Sequence, residues 1–107
     1  MAEKLCELKK KGGGSFTFSV IAYGNNAVEQ YGKAEIPSQN LYHKLKIVSY
    51  INLSYTGSNF PRIVIDGTTY NRPAVGTEFD ITNKSTIIES YASTNGWKKT
   101  GVTVELL

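Results

Sequence analysis

The chain has 107 residues, of which 40% are hydrophobic and 20% are charged, and its formal net charge is +3. This length provides for one hydrophobic core but not for two, and the composition excludes a largely disordered chain. A net charge this small gives only weak electrostatic steering, which disfavours nucleic acid as the main partner.

The first predicted element is an N-terminal arm that precedes the folded-looking sequence. Leu5 and Leu8 lie three positions apart with Cys6 beside them, so one helical turn would present a narrow apolar stripe. An isolated helix needs about 12–15 residues to be even marginally stable in water, and residues 2–11 fall short of that. We therefore expect a short helical or extended arm that docks on a partner or frays.

A glycine run separates this arm from the rest of the chain. Gly12, Gly13 and Gly14 are followed by Ser15, a composition typical of a flexible hinge. The lysines precede the glycines, so the order of residues in a phosphate-binding loop is absent. The sequence therefore predicts two parts, an arm with its hinge over residues 1–15 and a folded domain over residues 16–107.

The cysteine count and the lengths of the apolar runs indicate where the protein is made and whether it binds a membrane. Cys6 is the sole cysteine, which rules out an intramolecular disulfide framework. No apolar run approaches the ~20 residues of a membrane-spanning helix, and the first fifteen residues lack the apolar core of a signal peptide. We therefore expect synthesis in the cytoplasm and no membrane partner.

From Phe16 onward the hydrophobic period becomes two, which is typical of β-strands. A first strand runs over residues 16–23, and a return strand over residues 27–36 is weakened by Gly32. The strongest periodic run covers residues 41–55, and because it exceeds the usual strand length we expect a break near Ser49. The firmest core predictions are Leu45, Ile47, Ile51 and Leu53.

The strongest local signal in the second half is the Asp66-Gly67 pair between the β-prone runs 62–65 and 68–70. Asp-Gly in this position predicts a two-residue type I′ hairpin, because both turn residues need a positive φ.

Three further strands complete the pattern. They are predicted over residues 75–81, 86–93 and 102–107, with a turn at Thr100-Gly101 before the last of them. The total is about eight short strands without alternating helices. The sequence therefore predicts an all-β fold, a single antiparallel β-sandwich of jelly-roll type, with a small barrel as the alternative.

Candidates for catalysis and metal binding are sparse. His43 and Cys6 lie in different regions of the chain, so they provide neither a metal site nor a nucleophilic pair. Asp66 is explained as a turn residue, while Glu78 and Asp80 share the outward side of one strand. Nothing in the pattern brings two carboxylates together, as glycoside hydrolysis requires. We therefore predict a protein that is not an enzyme and has no metal or other cofactor.

Carbohydrate or cell-surface binding is the alternative function that the residues themselves support. Aromatic side chains beside polar loops can stack on sugar rings. Tyr55, Asn59 and Trp97 lie at or near predicted loops, and we assign them as weak ligand-binding candidates. The competing interpretation is that such aromatic side chains cover the core.

The N-terminal segment EKLCELKKKGGG carries a resemblance to a known group of proteins. It resembles the leader of small proteins encoded among the structural genes of tailed phages and prophages of Gram-positive bacteria. In these proteins a leader of this type precedes a glycine run and a variable β-rich domain. The resemblance covers roughly the first fourteen residues and includes no motif in residues 16–107.

This resemblance implies a virion-located structural or accessory protein, such as a decoration, head-fibre, tail or baseplate component. It implies that Leu5, Cys6 and Leu8 dock on another virion protein. Lys9, Lys10 and Lys11 would then meet an acidic surface. Strand edges of the domain would pair with symmetry mates in a homo-oligomer.

Overall fold

A computed structural model of the chain describes residues 15–23, 30–53, 59–92 and 99–107. These residues form eight strands: β1 (Phe16–Tyr23), β2 (Gln30–Ile36), β3 (Lys44–Ile51), β4 (Arg62–Ile65), β5 (Thr68–Asn71), β6 (Glu78–Asp80), β7 (Thr86–Ala92) and β8 (Lys99–Leu106). They pair into two four-stranded antiparallel sheets. The predicted all-β sandwich of about eight strands is confirmed.

The order of the strands is that of a jelly roll. One sheet has the order β1-β8-β3-β6 and the other has the order β2-β7-β4-β5. Strands that follow one another in the chain therefore occupy matching positions in the two sheets. Each connection passes from one sheet to the other except the β4–β5 hairpin. Two sheets of four strands wound in this way are a double Greek key.

The core lies between the sheets and is built from the inward side chains that alternate along each strand. Its most buried apolar members are Leu45, Ile47, Ile63, Ile81, Ile88, Val102, Val104 and Leu106. In β1, Val20 and Ala22 are buried, and Phe16 and Phe18 pack against the cluster from its edge. Full burial of one such aliphatic side chain stabilises the fold by roughly 1.5–3 kcal/mol before entropy is counted.

Strand β3 is irregular near Ser49, where the length of the periodic run predicted a break. Its pairing with β8 shifts between Ile47 and Ser49, which is a β-bulge or similar irregularity. After the shift Tyr50 lies opposite the inward-facing Val102, so the alternation of faces has been reversed. An extra residue in a pattern with a period of two has this effect.

The bulge decides which of the predicted core residues are buried. Leu45 and Ile47 lie before it and are fully buried, as predicted. Ile51 and Leu53 lie after it and are only partly buried, while Tyr50 packs against the core instead. The prediction that all four residues share one face was therefore wrong beyond the bulge.

The β4–β5 hairpin confirms the prediction made from Asp66 and Gly67. Their φ angles are 47° and 85°, and Ile65 pairs with Thr68 across the turn. Asp66 also joins the hairpin to the segment before β7. Its backbone N–H donates to the Ser85 carbonyl, and its Oδ1 accepts from the Ser85 backbone N–H at 2.9 Å.

The two sheets approach each other closely where β1 and β8 of one sheet face β2 and β7 of the other. Gly32 lies against the backbone of Ile21, and a Cβ at this position would overlap the Ile21 carbonyl oxygen. Nearby, the buried Ser90 hydroxyl donates to the carbonyl of Val20 at 2.7 Å and so joins the sheets. Gly32 therefore permits this approach, although its residue type alone predicted a weakened strand.

The last strand begins earlier than predicted. Thr100 and Gly101, predicted as a turn, lie inside β8, which starts at Lys99. The Thr100 hydroxyl donates to the Tyr91 carbonyl at 2.6 Å, and a Cβ at Gly101 would overlap the Val20 carbonyl oxygen. These two residues are therefore required by close packing within the sandwich and not by a turn.

The strand predicted over residues 75–81 is also shorter in the structure. Only Glu78–Asp80 pair as β6, because Val75 and Gly76 form a turn in which Gly76 has a φ of 94°. Residues 24–26 and 95–96, whose Gly and Asn content is typical of turns, lie outside the described residues.

The strand ends define two ends of the sandwich. At one end β1 begins with Phe16, which pairs with Leu106, and we call this the arm end because Ser15 precedes it. At the other end Tyr23 pairs with Lys99, and Gln30 pairs with Ala92. We call this the far end.

Candidate functional site

Three aromatic side chains meet on the outer face of the β2-β7-β4 sheet at the far end. This aromatic cluster consists of Tyr31, Phe60 and Tyr91. The ring centroids of Tyr31 and Tyr91 are 5.0 Å apart, and those of Phe60 and Tyr91 are 5.4 Å apart. Tyr31 and Phe60 complete the triangle at 6.0 Å in an edge-to-face arrangement. Such tilted and edge-to-face geometries are favourable for aromatic pairs.

The strand alternation places two of these rings on the outside. In β7 the inward positions are Ile88, Ser90 and Ala92, so Tyr91 points outward. Tyr31 is its direct partner across the β2–β7 pair and therefore lies on the same face. Cross-strand neighbours of this kind are close enough for rings to touch.

Phe60 is held in the cluster by two arginines. The Arg72 Nε–H donates to the Phe60 carbonyl at 2.7 Å, and the Arg72 backbone N–H donates to the carbonyl of Pro61. Pro61 itself is buried, and the Phe60–Pro61 peptide bond is cis. The guanidinium carbon of Arg62 lies 4.6 Å from the Phe60 ring centroid, a distance typical of a cation–π contact.

A row of polar side chains crosses the same face directly beside the aromatic cluster. The strand registers place Lys33 opposite Glu89, Glu89 opposite Arg62, and Arg62 opposite Asn71. We call Lys33, Glu89, Arg62 and Asn71 the polar row. It is two residues along the strands from the cluster, a separation of about 6.6 Å.

The charges on this face are paired with one another. The Arg62 Nε–H donates to a Glu89 carboxylate oxygen at 2.6 Å. Lys33 Nζ lies 2.9 Å from a Glu35 carboxylate oxygen, and this hydrogen bond raises the pKa of Lys33. In the described part of this face, the two cations of the polar row are therefore balanced by two carboxylates.

The surface combines an accessible ring with directional polar groups. Tyr31 is 62% exposed, although its ring contacts two other rings. Arg62 and Glu89 are largely but not completely covered, with 34% and 23% of their side chains exposed. An aromatic face next to hydrogen-bonding groups can hold a flat ligand that has one apolar side and a polar rim.

The structure describes one of the three ligand-binding residues that were predicted from the sequence. Asn59 is exposed and directly precedes Phe60, so it lies at the margin of the aromatic cluster. Tyr55 and Trp97 lie outside the described residues. The predicted docking residues of the arm also lie outside them: Leu5, Cys6, Leu8, Lys9, Lys10 and Lys11.

Sequence reasoning missed Tyr31 and Tyr91 as members of a common site. The period of two indicates which face each residue takes within its own strand. It does not indicate that β2 pairs with β7, nor that position 31 falls opposite position 91. Only the register brings these two rings together.

A second group of polar side chains lies at the arm end around Thr82. The His43 Nδ1 and the Thr82 hydroxyl are 3.0 Å apart, and the Thr82 backbone N–H donates to Asp80 Oδ1 at 2.9 Å. The hydrogen bonds from Thr82 lower the pKa of Asp80. These contacts join the ends of β3 and β6, and the group is exposed.

The described residues contain neither a metal-binding cluster nor a membrane-spanning helix. Within residues 15–23, 30–53, 59–92 and 99–107, no three His, Cys, Asp or Glu side chains lie close enough together to hold a metal ion. The same part of the chain has no helix with the length and hydropathy needed to cross a membrane.

Comparisons of the chain with protein-family models, with curated proteins and with solved structures found no match.

Proposed function

We propose that this protein is a non-enzymatic structural or accessory component of a phage virion, anchored through its N-terminal arm. The leader EKLCELKKKGGG supports this proposal through its resemblance to small phage proteins. The jelly roll agrees with it, since this fold occurs in viral capsid domains and also in lectins. Because one fold hosts many functions, the fold alone does not assign this one.

The observation that carries the proposal is the distance between the start of the described domain and the exposed aromatic cluster. The chain enters the domain at the arm end, where Phe16 pairs with Leu106. Tyr31 lies beside Gly32, which packs against Ile21 and Ala22 near the far end of β1. The rise per residue of a strand separates these two places by about 20 Å. A domain tethered at its arm end would therefore present the cluster away from its anchor.

The arm supplies the contacts to other virion proteins in this proposal. Leu5, Cys6 and Leu8 insert as an apolar stripe into a groove of a neighbouring subunit. Lys9, Lys10 and Lys11 pair with acidic groups at its rim. The outermost strands of each sheet, β1, β6, β2 and β5, are the edges through which copies would associate in a homo-oligomer.

Deletion of residues 1–14 tests the proposal. The truncated protein is expected to fold but to be lost from particles assembled in the presence of the other virion proteins. The measurement is immunodetection of the protein in purified particles, with a full-length copy as reference. Normal incorporation of the truncated protein would refute anchoring through the N-terminal arm.

Two matched variants separate the roles of the arm residues. Replacement of Leu5 and Leu8 by serine is expected to reduce incorporation about tenfold or more, since it removes the apolar stripe. Replacement of the three lysines by glutamine is expected to have a smaller effect that weakens with added salt. The reverse order of effects would contradict docking through the apolar stripe.

A carbohydrate- or cell-surface-binding module is the second candidate function, and the aromatic cluster favours it. The two functions are compatible, because an accessory protein of a particle can also bind a host-surface glycan. Tyr55, Asn59 and Trp97 remain proposed contributors to such binding. Loss of glycan binding in Trp97→Ala with the fold retained would support the role of Trp97, and unchanged binding would remove it.

A further inference from the structure

We infer that the outer face of β2, β7 and β4 is a binding site for a neutral glycan, with the aromatic cluster as the stacking surface and the polar row as the hydrogen-bonding surface. The inference deepens the second candidate function, because it names the site and the class of ligand. It does not depend on the virion assignment.

The shape of the site fits one or two sugar rings. A pyranose has a flat face of C–H groups and a rim of hydroxyls, so it needs an aromatic face with polar groups at its edge. Tyr31 offers the exposed ring, and Phe60 and Tyr91 support it from within the cluster. The polar row begins about 6.6 Å further along the strands, within reach of the hydroxyls of a sugar stacked on Tyr31.

Arg62 and Glu89 are the residues that we assign to ligand hydroxyls. The Arg62 Nε–H is directed at Glu89, so the two side chains fix each other's orientation. A guanidinium has five N–H donors in a rigid plane and a carboxylate has two acceptor oxygens. The pair can therefore offer both donors and acceptors to adjacent hydroxyls, and orienting them before binding lowers the entropic cost of association.

The pairing of charges favours a neutral ligand over an anionic one. Both cations of the polar row already have a carboxylate partner, Glu89 for Arg62 and Glu35 for Lys33. A phosphate or sulfate group would have to compete with these carboxylates and would meet them at close range. Single-stranded nucleic acid also stacks on aromatic rings, but it uses a positively charged groove, whereas both cations of the polar row are paired with carboxylates.

The size of the cluster argues against a protein partner. A stable protein–protein interface covers about 800 Å² on each partner with an apolar centre. Here three rings lie within 6.0 Å of one another, and charged side chains directly border them. The apolar area therefore suits a small ligand.

The experiment compares the full-length protein with surface variants on a glycan array. The array carries neutral oligosaccharides of hexose and N-acetylhexosamine units, sialylated and sulfated oligosaccharides, and a single-stranded DNA oligonucleotide. Binding to neutral glycans is expected, with little change between 50 and 300 mM salt. Tyr31→Ala is expected to weaken that binding about tenfold, and Arg62→Gln by a similar factor.

Tyr23→Ala is the matched control for Tyr31→Ala. Tyr23 is also 62% exposed and also lies at the far end, but it is on β1 in the other sheet. Its replacement is expected to change binding less than twofold. Tyr31→Phe keeps the ring and is expected to retain binding within about threefold, which separates stacking from loss of the hydroxyl. All variants are first shown to unfold at the wild-type denaturant midpoint.

Three results would overturn the inference. They are the absence of binding to every neutral glycan, equal losses in Tyr31→Ala and Tyr23→Ala, and a steep salt dependence with preference for anionic glycans or DNA. If Tyr31→Ala has an altered unfolding midpoint, it is replaced by Tyr31→Ser, for which the same outcomes apply. None of these results measures particle incorporation. A negative result for glycan binding would therefore leave the virion proposal standing, and the reverse also holds.

Discussion

Thr86 is a buried polar residue in the hydrophobic core. It is 1% exposed and lies in register with Ile36 on one side and Ile65 on the other. Its hydroxyl has no hydrogen-bond partner among the described residues. An unmade hydrogen bond of this kind costs about 1–3 kcal/mol.

Thr86→Val is therefore expected to stabilise the protein. Valine keeps the shape of the side chain and removes the unpartnered hydroxyl, so the free energy of unfolding should rise by about 1 kcal/mol. Urea denaturation of the full-length protein measures this change. Thr86→Ala is the control, since it leaves a cavity and should lower stability. A destabilised valine variant would show that the hydroxyl is satisfied.

Gly67 and Gly32 are glycines required for different physical reasons. At Gly67 the φ of 85° disfavours any residue with a Cβ, but no atom lies within 4 Å of the position a Cβ would take. At Gly32 a Cβ would overlap backbone atoms of Ile21 and Ala22 in the opposite sheet. The first requirement is conformational, and the second is one of space between the sheets.

These reasons predict an order of stability for two alanine variants. Gly67→Ala should lower the free energy of unfolding by about 1–2 kcal/mol, the cost of a left-handed conformation. Gly32→Ala should cost about 3 kcal/mol or more, because backbone of the other sheet must move. Chemical denaturation of both variants under identical conditions gives the comparison. A milder effect at position 32 would contradict the close approach of the sheets.

At the scale of the element, β3 shows how one irregularity redirects a side chain. The shift between Ile47 and Ser49 turns Tyr50 toward the core. Its hydroxyl then donates to the carbonyl of Pro73, in the segment between β5 and β6. Partial burial raises the pKa of Tyr50 from 10.0 to about 12. The bulge thereby allows a hydrogen bond between β3 and the segment that connects β5 to β6.

Tyr50→Phe is expected to lower the free energy of unfolding by about 1 kcal/mol, the net value of one hydrogen bond. The loss should depend on pH. Below pH 10 Tyr50 is protonated in both states and the bond contributes fully. Between pH 10 and 12 the unfolded chain ionises first, so this contribution disappears as the pH rises. Denaturation of both proteins between pH 8 and 12 checks this, and a pH-independent difference would refute it.

At the scale of the whole molecule, hydrogen bonds between the sheets join them into one unit. Ser90 and Thr100 are buried and donate to carbonyls of Val20 and Tyr91 in the opposite sheet. The described core draws on both sheets and begins with β1 at Phe16. We therefore expect both sheets to unfold in a single transition.

A protein without residues 1–14 is expected to keep the free energy of unfolding of the full-length chain within about 0.5 kcal/mol. The reason is that the described core is built from residues beyond the hinge. Circular dichroism during urea unfolding is the measurement, with tyrosine and tryptophan fluorescence as the second probe. A large loss of stability would mean that the arm packs against the domain, which would count against its role as a free anchor.

Features that depend on neighbouring residues could be predicted from the local sequence pattern. The strand count and the inward faces of β1 and β8 follow from a period of two, and the Asp66-Gly67 turn follows from the φ angles it needs. The jelly-roll class was also predicted, because regular short strands without helices leave few arrangements.

Features that depend on distant residues became visible only from the pairing and stacking of the strands. The pairing of β2 with β7 places Tyr31 against Tyr91, and nothing in either segment encodes that partner. The bulge in β3 and the need for Gly32 are also set by strands far away in the chain. A local period defines the face of each residue, whereas register and sheet stacking define its neighbours. The candidate glycan site therefore emerged only when the strands were paired.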